Sequence, residues 1–180
     1  RRLGVGRASW SVIGSDLFSV LVRARTVTSA TGGAFDPTVG PLVALWRDAR
    51  QRGQLPDRAA IGLARRHVGW RHRHLDSSRQ AARLARAGMR LDLGGVAKGY
   101  IIQQGLEAMA ALGVTRALVE AGGDLVVGEA PPGREGWRIA VADADAAFAA
   151  RAARLTHAAL ATSGPSAQFA DIGGVRYSHV

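Results

Sequence analysis

Three of the four glycine pairs in this chain, Gly32-Gly33, Gly94-Gly95 and Gly122-Gly123, divide it into segments that carry hydroxyls or carboxylates. Glycine has no Cβ, so it enters positive φ freely and lets a second backbone or a ligand come close. Each pair is flanked by hydroxyls or carboxylates, Thr31 and Asp36, Asp92, and Asp124, so each is a candidate polar loop. The pattern predicts short strands and helices joined by tight turns, with ligand chemistry placed at the turns.

Ser15 is placed as a helix N-cap, and Leu17, Phe18, Leu21 and Val22 recur at helical spacing, which predicts a helix toward Ser29 that Gly32-Gly33 ends. A second helix is expected over residues 57–68 after Pro56-Asp57. A basic strand from Gly69 to Leu75 and a polar, Arg-rich stretch to Gly88 follow. Met89 to Leu93 alternates as a strand does, Gly94-Gly95 breaks it, and Val96 to Leu112 has helical periodicity. Arg116 to Glu120, Leu125 to Val127 and Trp137 to Ala142 read as strands, with Ala121-Gly122-Gly123-Asp124 as a turn. The Ala-rich stretch from Ala144 to Ala153 reads as a helix or a loose connection, and a last hairpin closes at Tyr177-Ser178-His179-Val180.

With 180 residues and 47% apolar composition, the chain is sized for one compact domain. No apolar run reaches the eighteen residues of a membrane span. Cysteine is absent, which excludes disulfides and thiolate metal sites without choosing a compartment. The net charge of +10 raises nucleic acid as a partner, but the arginines are scattered among alanines, as in Ala82-Arg83-Leu84-Ala85-Arg86, and read as solvated helix faces. Nucleic acid is therefore a minor alternative. Of 24 basic residues only Lys98 is a lysine, a single departure from a strong arginine bias.

Lys98 lies in the first turn of the helix that follows Gly94-Gly95, where free N–H groups and an ammonium suit an anion. The spacing matches neither the dinucleotide fingerprint nor the P-loop, so a purely structural turn stays open. His67, His72 and His74 alternate among arginines and read as a solvated basic face, not a metal site. Trp46 and Trp137 read as core. Thr162-Ser163-Gly164 reads equally as a ligand contact or as a strand-end turn with its hydroxyls bonded to backbone.

Thr31-Gly32-Gly33-Ala34-Phe35-Asp36-Pro37-Thr38-Val39-Gly40-Pro41-Leu42-Val43, followed by Leu45-Trp46, resembles the signature of the ApbE family of flavin transferases. The resemblance continues in order through residues 91–100, Ala121-Gly122-Gly123-Asp124, Ala161-Thr162-Ser163-Gly164 and Arg176-Tyr177-Ser178-His179. It is weakest over 47–90 and 143–157. It implies an α/β fold of α+β type, one T-fold-related domain with a mainly antiparallel sheet and packed helices. It also implies an FAD:protein FMN transferase, which moves FMN from FAD to a Thr or Ser hydroxyl of an acceptor flavoprotein and releases AMP, with Mg2+ as cofactor. By the same resemblance Ala34, Phe35 and Asp36 line the FAD pocket, Asp92 and Lys98 contact the dinucleotide, the Gly95 carbonyl is a magnesium ligand, and His179 is catalytic.

The family pattern continues past this histidine into an Asp-Pro-x-Thr-Gly segment and a helix that completes the magnesium site, and it begins earlier with a methionine-containing FAD contact. The resemblance thus implies that residues 1–180 are the central part of one domain, with both flanking portions absent. An FAD pyrophosphatase yielding FMN and AMP, or a non-catalytic FAD-binding piece, are the alternatives. Relatives that act outside the cytoplasm on membrane-bound redox subunits imply a periplasmic or membrane-associated setting, with the cytoplasm as the alternative.

Overall fold

The computed structural model describes residues 9–141, 151–163 and 169–178. In chain order the elements are β1 (Ser11–Val12), α1 (Ser15–Ala30), α2 (Gly40–Arg52), α3 (Arg58–Arg65), a 3-10 turn (Trp70–His72), β2 (Arg73–Asp76), β3 (Ala81–Leu84), α4 (Gly94–Ala111), β4 (Leu118–Ala121), β5 (Asp124–Val127), β6 (Trp137–Val141), β7 (Arg151–Leu155), β8 (Ala158–Leu160), β9 (Phe169–Ile172) and β10 (Val175–Ser178). Every strand pair with a stated register is antiparallel, so the expected α+β class holds. Two compact units divide the chain, residues 1–96 with 170–177, and residues 97–169 with 178–180.

The first unit carries α1, α2 and α3, the three-stranded sheet β1-β3-β2, and most of the β9–β10 hairpin. α1 buries Val20, Leu21, Ala24 and Thr28, one stripe of a 3.6-residue period. Gly14, not Ser15, is its N-cap, and Ser15 is the first helical residue. At the other end the Thr31 hydroxyl donates to the Val27 carbonyl at 2.9 Å, and the Gly33 N–H donates to the Thr28 carbonyl at 2.8 Å. α3 opens where expected, with an Asp57 carboxylate oxygen accepting the Ala60 N–H at 2.6 Å.

Several expectations are corrected here. α2 was not anticipated, because only Gly40 and Ala49 of it are buried and no apolar stripe runs its length; Pro41 in its first turn and Gly53 at φ +65° bound it. Met89 to Leu93 is not a strand; its pairing is limited to a parallel bridge between Val39 and Arg90. The basic strand begins only at Arg73, after the 3-10 turn. Residues 81–84, read as part of a solvated helix, form β3, which pairs with both β1 and β2 and buries Ala81, Ala82 and Leu84. Trp46, read as core, is 44% exposed and packs at a tilt against Tyr177, with ring centroids 5.8 Å apart and planes 41° apart. His67, His72 and His74 are half-buried, not solvated, and no group of three potential metal ligands occurs among the described residues.

The second unit contains most of α4, the antiparallel sheet β4-β5-β8 and the β6–β7 pair. Leu125, Val126 and Val127 are buried together with Ala117 and Ile102. Gly122 and Gly123, at φ +59° and +88°, make the two-residue turn that pairs Ala121 with Asp124. Trp137 is half-buried, and its indole N–H donates to the Glu129 carbonyl at 2.9 Å. Arg151–Leu155 is a strand, because each of its residues pairs with one of β6, and this pairing overrides the helical propensity of the alanines. The rest of that Ala-rich stretch lies outside the described residues. No described helix is long and apolar enough to cross a membrane.

Candidate functional site

In the first unit the loop after α1 is held by Asp36. One of its carboxylate oxygens accepts the Thr38 N–H at 2.8 Å and the Thr38 hydroxyl at 2.7 Å, while the other accepts the Trp70 N–H at 3.0 Å. The fully buried Thr38 hydroxyl in turn accepts the Gly69 N–H at 2.8 Å. A turn at 36–38 is thereby tied to the 3-10 turn more than thirty residues later. Gly33, at φ +92°, adds a second link, since a Cβ there would stand 3.1 Å from the Trp70 indole nitrogen.

Behind the loop lies buried Arg73, whose guanidinium donates to the Leu21 carbonyl at 3.0 Å. Burial lowers its pKa, the nearby charge of Arg25 adds to that, and Asp36 opposes both. Asp36 is thus a loop-organising carboxylate with an internal cation near it. The expected role as a direct FAD contact falls on a side chain whose two oxygens already hold three protein donors.

Phe35, next to Asp36, reaches the opening of α4. A Cβ on Gly95 would lie 3.0 Å from the Phe35 ring, so glycine lets the aromatic edge meet the helix start. Asp92 prepares that start, with one oxygen accepting the Gly94 N–H at 3.0 Å and the other accepting from Arg47 at 3.2 Å. Its backbone N–H donates to the Pro37 carbonyl at 2.8 Å, which joins the second motif to the first. Phe35, Asp92 and Gly95, which sequence proposed from two separate motifs, therefore converge within the first unit. Ala34 is exposed beside them.

In the second unit, Lys98 donates to Asp124 at 2.8 Å, and the other Asp124 oxygen accepts the Thr162 N–H at 3.2 Å. The Lys98 bond holds the Asp124 carboxyl below the usual carboxylate range; burial pushes the other way, and the Thr162 bond adds to the lowering. Thr162 and Ser163 are exposed, whereas Gly164 and the proposed catalytic His179 lie outside the described residues. Thr38, Trp70, Arg47 and Asp124 are the site residues that sequence reasoning did not assign. Thr38 and Asp124 lay inside quoted motifs, but their partners are 31 and 38 residues away.

Glycine-bounded loops tied by carboxylates and an aromatic ring against a helix start in the first unit, with a paired lone lysine in the second, characterise an α+β protein whose turns are held by internal hydrogen bonds. The chain belongs to the ApbE family, whose model matches residues 3–180. It is similar to the FAD:protein FMN transferase of Treponema pallidum, 30% identical over 184 residues, 94% of this chain and 51% of that protein. The Klebsiella pneumoniae FAD:protein FMN transferase is 31% identical, over 91% of this chain and 49% of its own length. Among solved structures, the ApbE protein of Thermotoga maritima superposes with a TM-score of 0.85 at 31% identity, over 96% of this chain and 57% of that one. The apo flavinyl transferase ApbE of Pseudomonas stutzeri gives 0.80 at 28%, over 99% and 54%. The chain spans about half the length of the curated relatives it matches.

Proposed function

We propose that this chain is the flavin-handling part of an FAD:protein FMN transferase. The observation that carries the reading is the convergence of Phe35, Asp92 and Gly95 at the opening of α4, two of the family motifs brought together by the Asp92 to Pro37 hydrogen bond. In this reading Ala34 and Phe35 give the nucleotide an apolar wall, and Asp36 keeps that wall in shape. Asp92 offers a carboxylate to ribose or base hydroxyl and amino groups, and the Lys98 ammonium faces pyrophosphate charge.

The reaction joins the acceptor hydroxyl oxygen to the FMN phosphorus of FAD. The bond from that phosphorus to the bridging oxygen breaks, AMP leaves with the electron pair, and His179 takes the hydroxyl proton. Magnesium asks for about six hard oxygen ligands. Among the described residues the set does not fit it: the Gly95 carbonyl is one oxygen, and Asp124 is engaged by Lys98 and Thr162. No step is assigned to the ion.

Incubating a full-length protein that carries this chain with FAD, Mg2+ and an acceptor domain, followed by mass spectrometry of the acceptor, tests the reading. Covalent FMN on a Thr or Ser is the expected product of the whole enzyme. Free FMN and AMP would make it a pyrophosphatase, and FAD binding without turnover would make the chain a binding module.

A further inference from the structure

The strongest unassigned feature is the carboxylate of Asp124. It follows the Gly122-Gly123 turn as the first residue of β5, and its side chain is 14% exposed. A carboxylate so far from water is costly unless its oxygens are paired, and here each has one partner. Oδ2 takes the Lys98 ammonium and Oδ1 takes the Thr162 N–H. The sheet explains the second contact, because β5 and β8 run antiparallel with Leu125 opposite Leu160, so the chain leaving β8 passes Asp124.

We propose that Asp124 is a positioning residue, holding the Lys98 ammonium in one place for phosphate oxygens while anchoring the segment at Thr162. This deepens the flavin-transferase reading and rests on it. An ammonium on a four-carbon stem carries three donors and large rotamer freedom. Asp124 uses one donor and fixes the stem; Lys98 remains 46% exposed, with donors left for a ligand. The two jobs of Asp124 are separable. In Asp124→Asn the amide oxygen still accepts the Thr162 N–H, but no anion holds Lys98, whereas Asp124→Glu keeps the charge on a longer arm.

Charge alone predicts the opposite result, since removing a carboxylate near an anion raises affinity for that anion. Positioning predicts that Asp124→Asn weakens FAD binding about tenfold, the size of one charge-assisted hydrogen bond, and that Asp124→Glu recovers part of it. Lys98→Ala should weaken binding comparably, and the double variant should be no weaker than Lys98→Ala, because both substitutions remove one coupled interaction.

Because Lys98 is the single lysine, isotope-labelled lysine reports this site directly by NMR. In the wild-type chain its side-chain resonance is expected to move in an acid step as Asp124 takes up a proton, and Asp124→Asn should abolish that step. Unchanged or tighter FAD binding by Asp124→Asn, or a further loss from Asp124→Asn in the Lys98→Ala background, would overturn the proposal. Absence of the acid step would overturn it whatever FAD does. Failure of the wild-type chain to bind FAD, with the acid step intact, would sink the flavin reading alone and leave Asp124 as the holder of Lys98.

Discussion

Thr38 shows how much one buried hydroxyl organises. It donates to Asp36 and accepts from the Gly69 N–H, so Thr38→Val keeps the shape while orphaning one donor and stripping Asp36 of a partner. The expected cost is about 1–3 kcal/mol, read as a lower denaturation midpoint with an unchanged slope. Asp92 combines two duties, and its variants separate them. Asp92→Ala removes the acceptor of the Gly94 N–H and should lower stability by about 1 kcal/mol, as a lost helix cap does. Asp92→Asn retains that acceptor and should be near wild type in stability. Both should weaken FAD binding, by about 1–3 kcal/mol for Asp92→Ala in calorimetry; full affinity in both would remove Asp92 from the nucleotide site. Asp124 carries the acid response. Its folded pKa is lowered, chiefly by Lys98, so the stability it contributes is complete above the unfolded value of about 3.9 and is lost as pH falls through the folded value. The stability difference between wild type and Asp124→Asn should therefore shrink below about pH 4, as followed by urea unfolding across pH.

Among the elements, α2 starts at a close backbone contact. A Cβ at Gly40 would stand 2.8 Å from both the Cβ and the carbonyl oxygen of Arg90, where the parallel bridge from Val39 meets the segment leading to α4. Backbone cannot swing aside as a side-chain tip does, so Gly40→Ala should cost about 1–3 kcal/mol. It should also loosen the connection between the first and second motifs. Thermal unfolding gives the first effect. Faster hydrogen exchange at the Asp92 amide, which donates to Pro37, gives the second. Unchanged exchange there would show that the bridge is incidental to the site.

Taken whole, the 180 residues should bind flavin nucleotide more readily than they turn it over. Of the positions assigned to the site, only the Gly95 carbonyl is proposed for magnesium, while Asp124 already serves Lys98 and Thr162 and Asp92 serves Gly94 and Arg47. With FAD, Mg2+ and an acceptor domain, this chain is expected to leave no magnesium-dependent, protein-bound flavin fluorescence after denaturation. Such fluorescence would show that its own oxygens complete the metal site.

The sequence by itself determined the parts whose cause is local. Helical periodicity marked α1 and α4, the Pro56-Asp57 start marked α3, and the Gly122-Gly123 pair marked the β4–β5 turn, because a 3.6-residue stripe, an N-cap and a positive φ are properties of a few adjacent residues. The motifs likewise proposed Phe35, Asp92, Gly95 and Lys98 for the site, and the fold brings the first three together at the opening of α4. Tertiary structure decided whatever depends on a distant partner. Arg73 is buried because the Leu21 carbonyl, 52 residues earlier, takes its guanidinium, and nothing in a run of arginines and histidines distinguishes that one from its solvated neighbours. Residues 151–155 are a strand because β6 pairs with them, although their alanines favour a helix equally well. Asp36 became a loop anchor once Trp70 supplied an N–H, and Asp124 became the counter-ion of the lone lysine once the turn and α4 brought the two side chains to 2.8 Å. Spacing along a chain states which groups are present; which of them are already spent on one another is settled only when the fold brings their partners together.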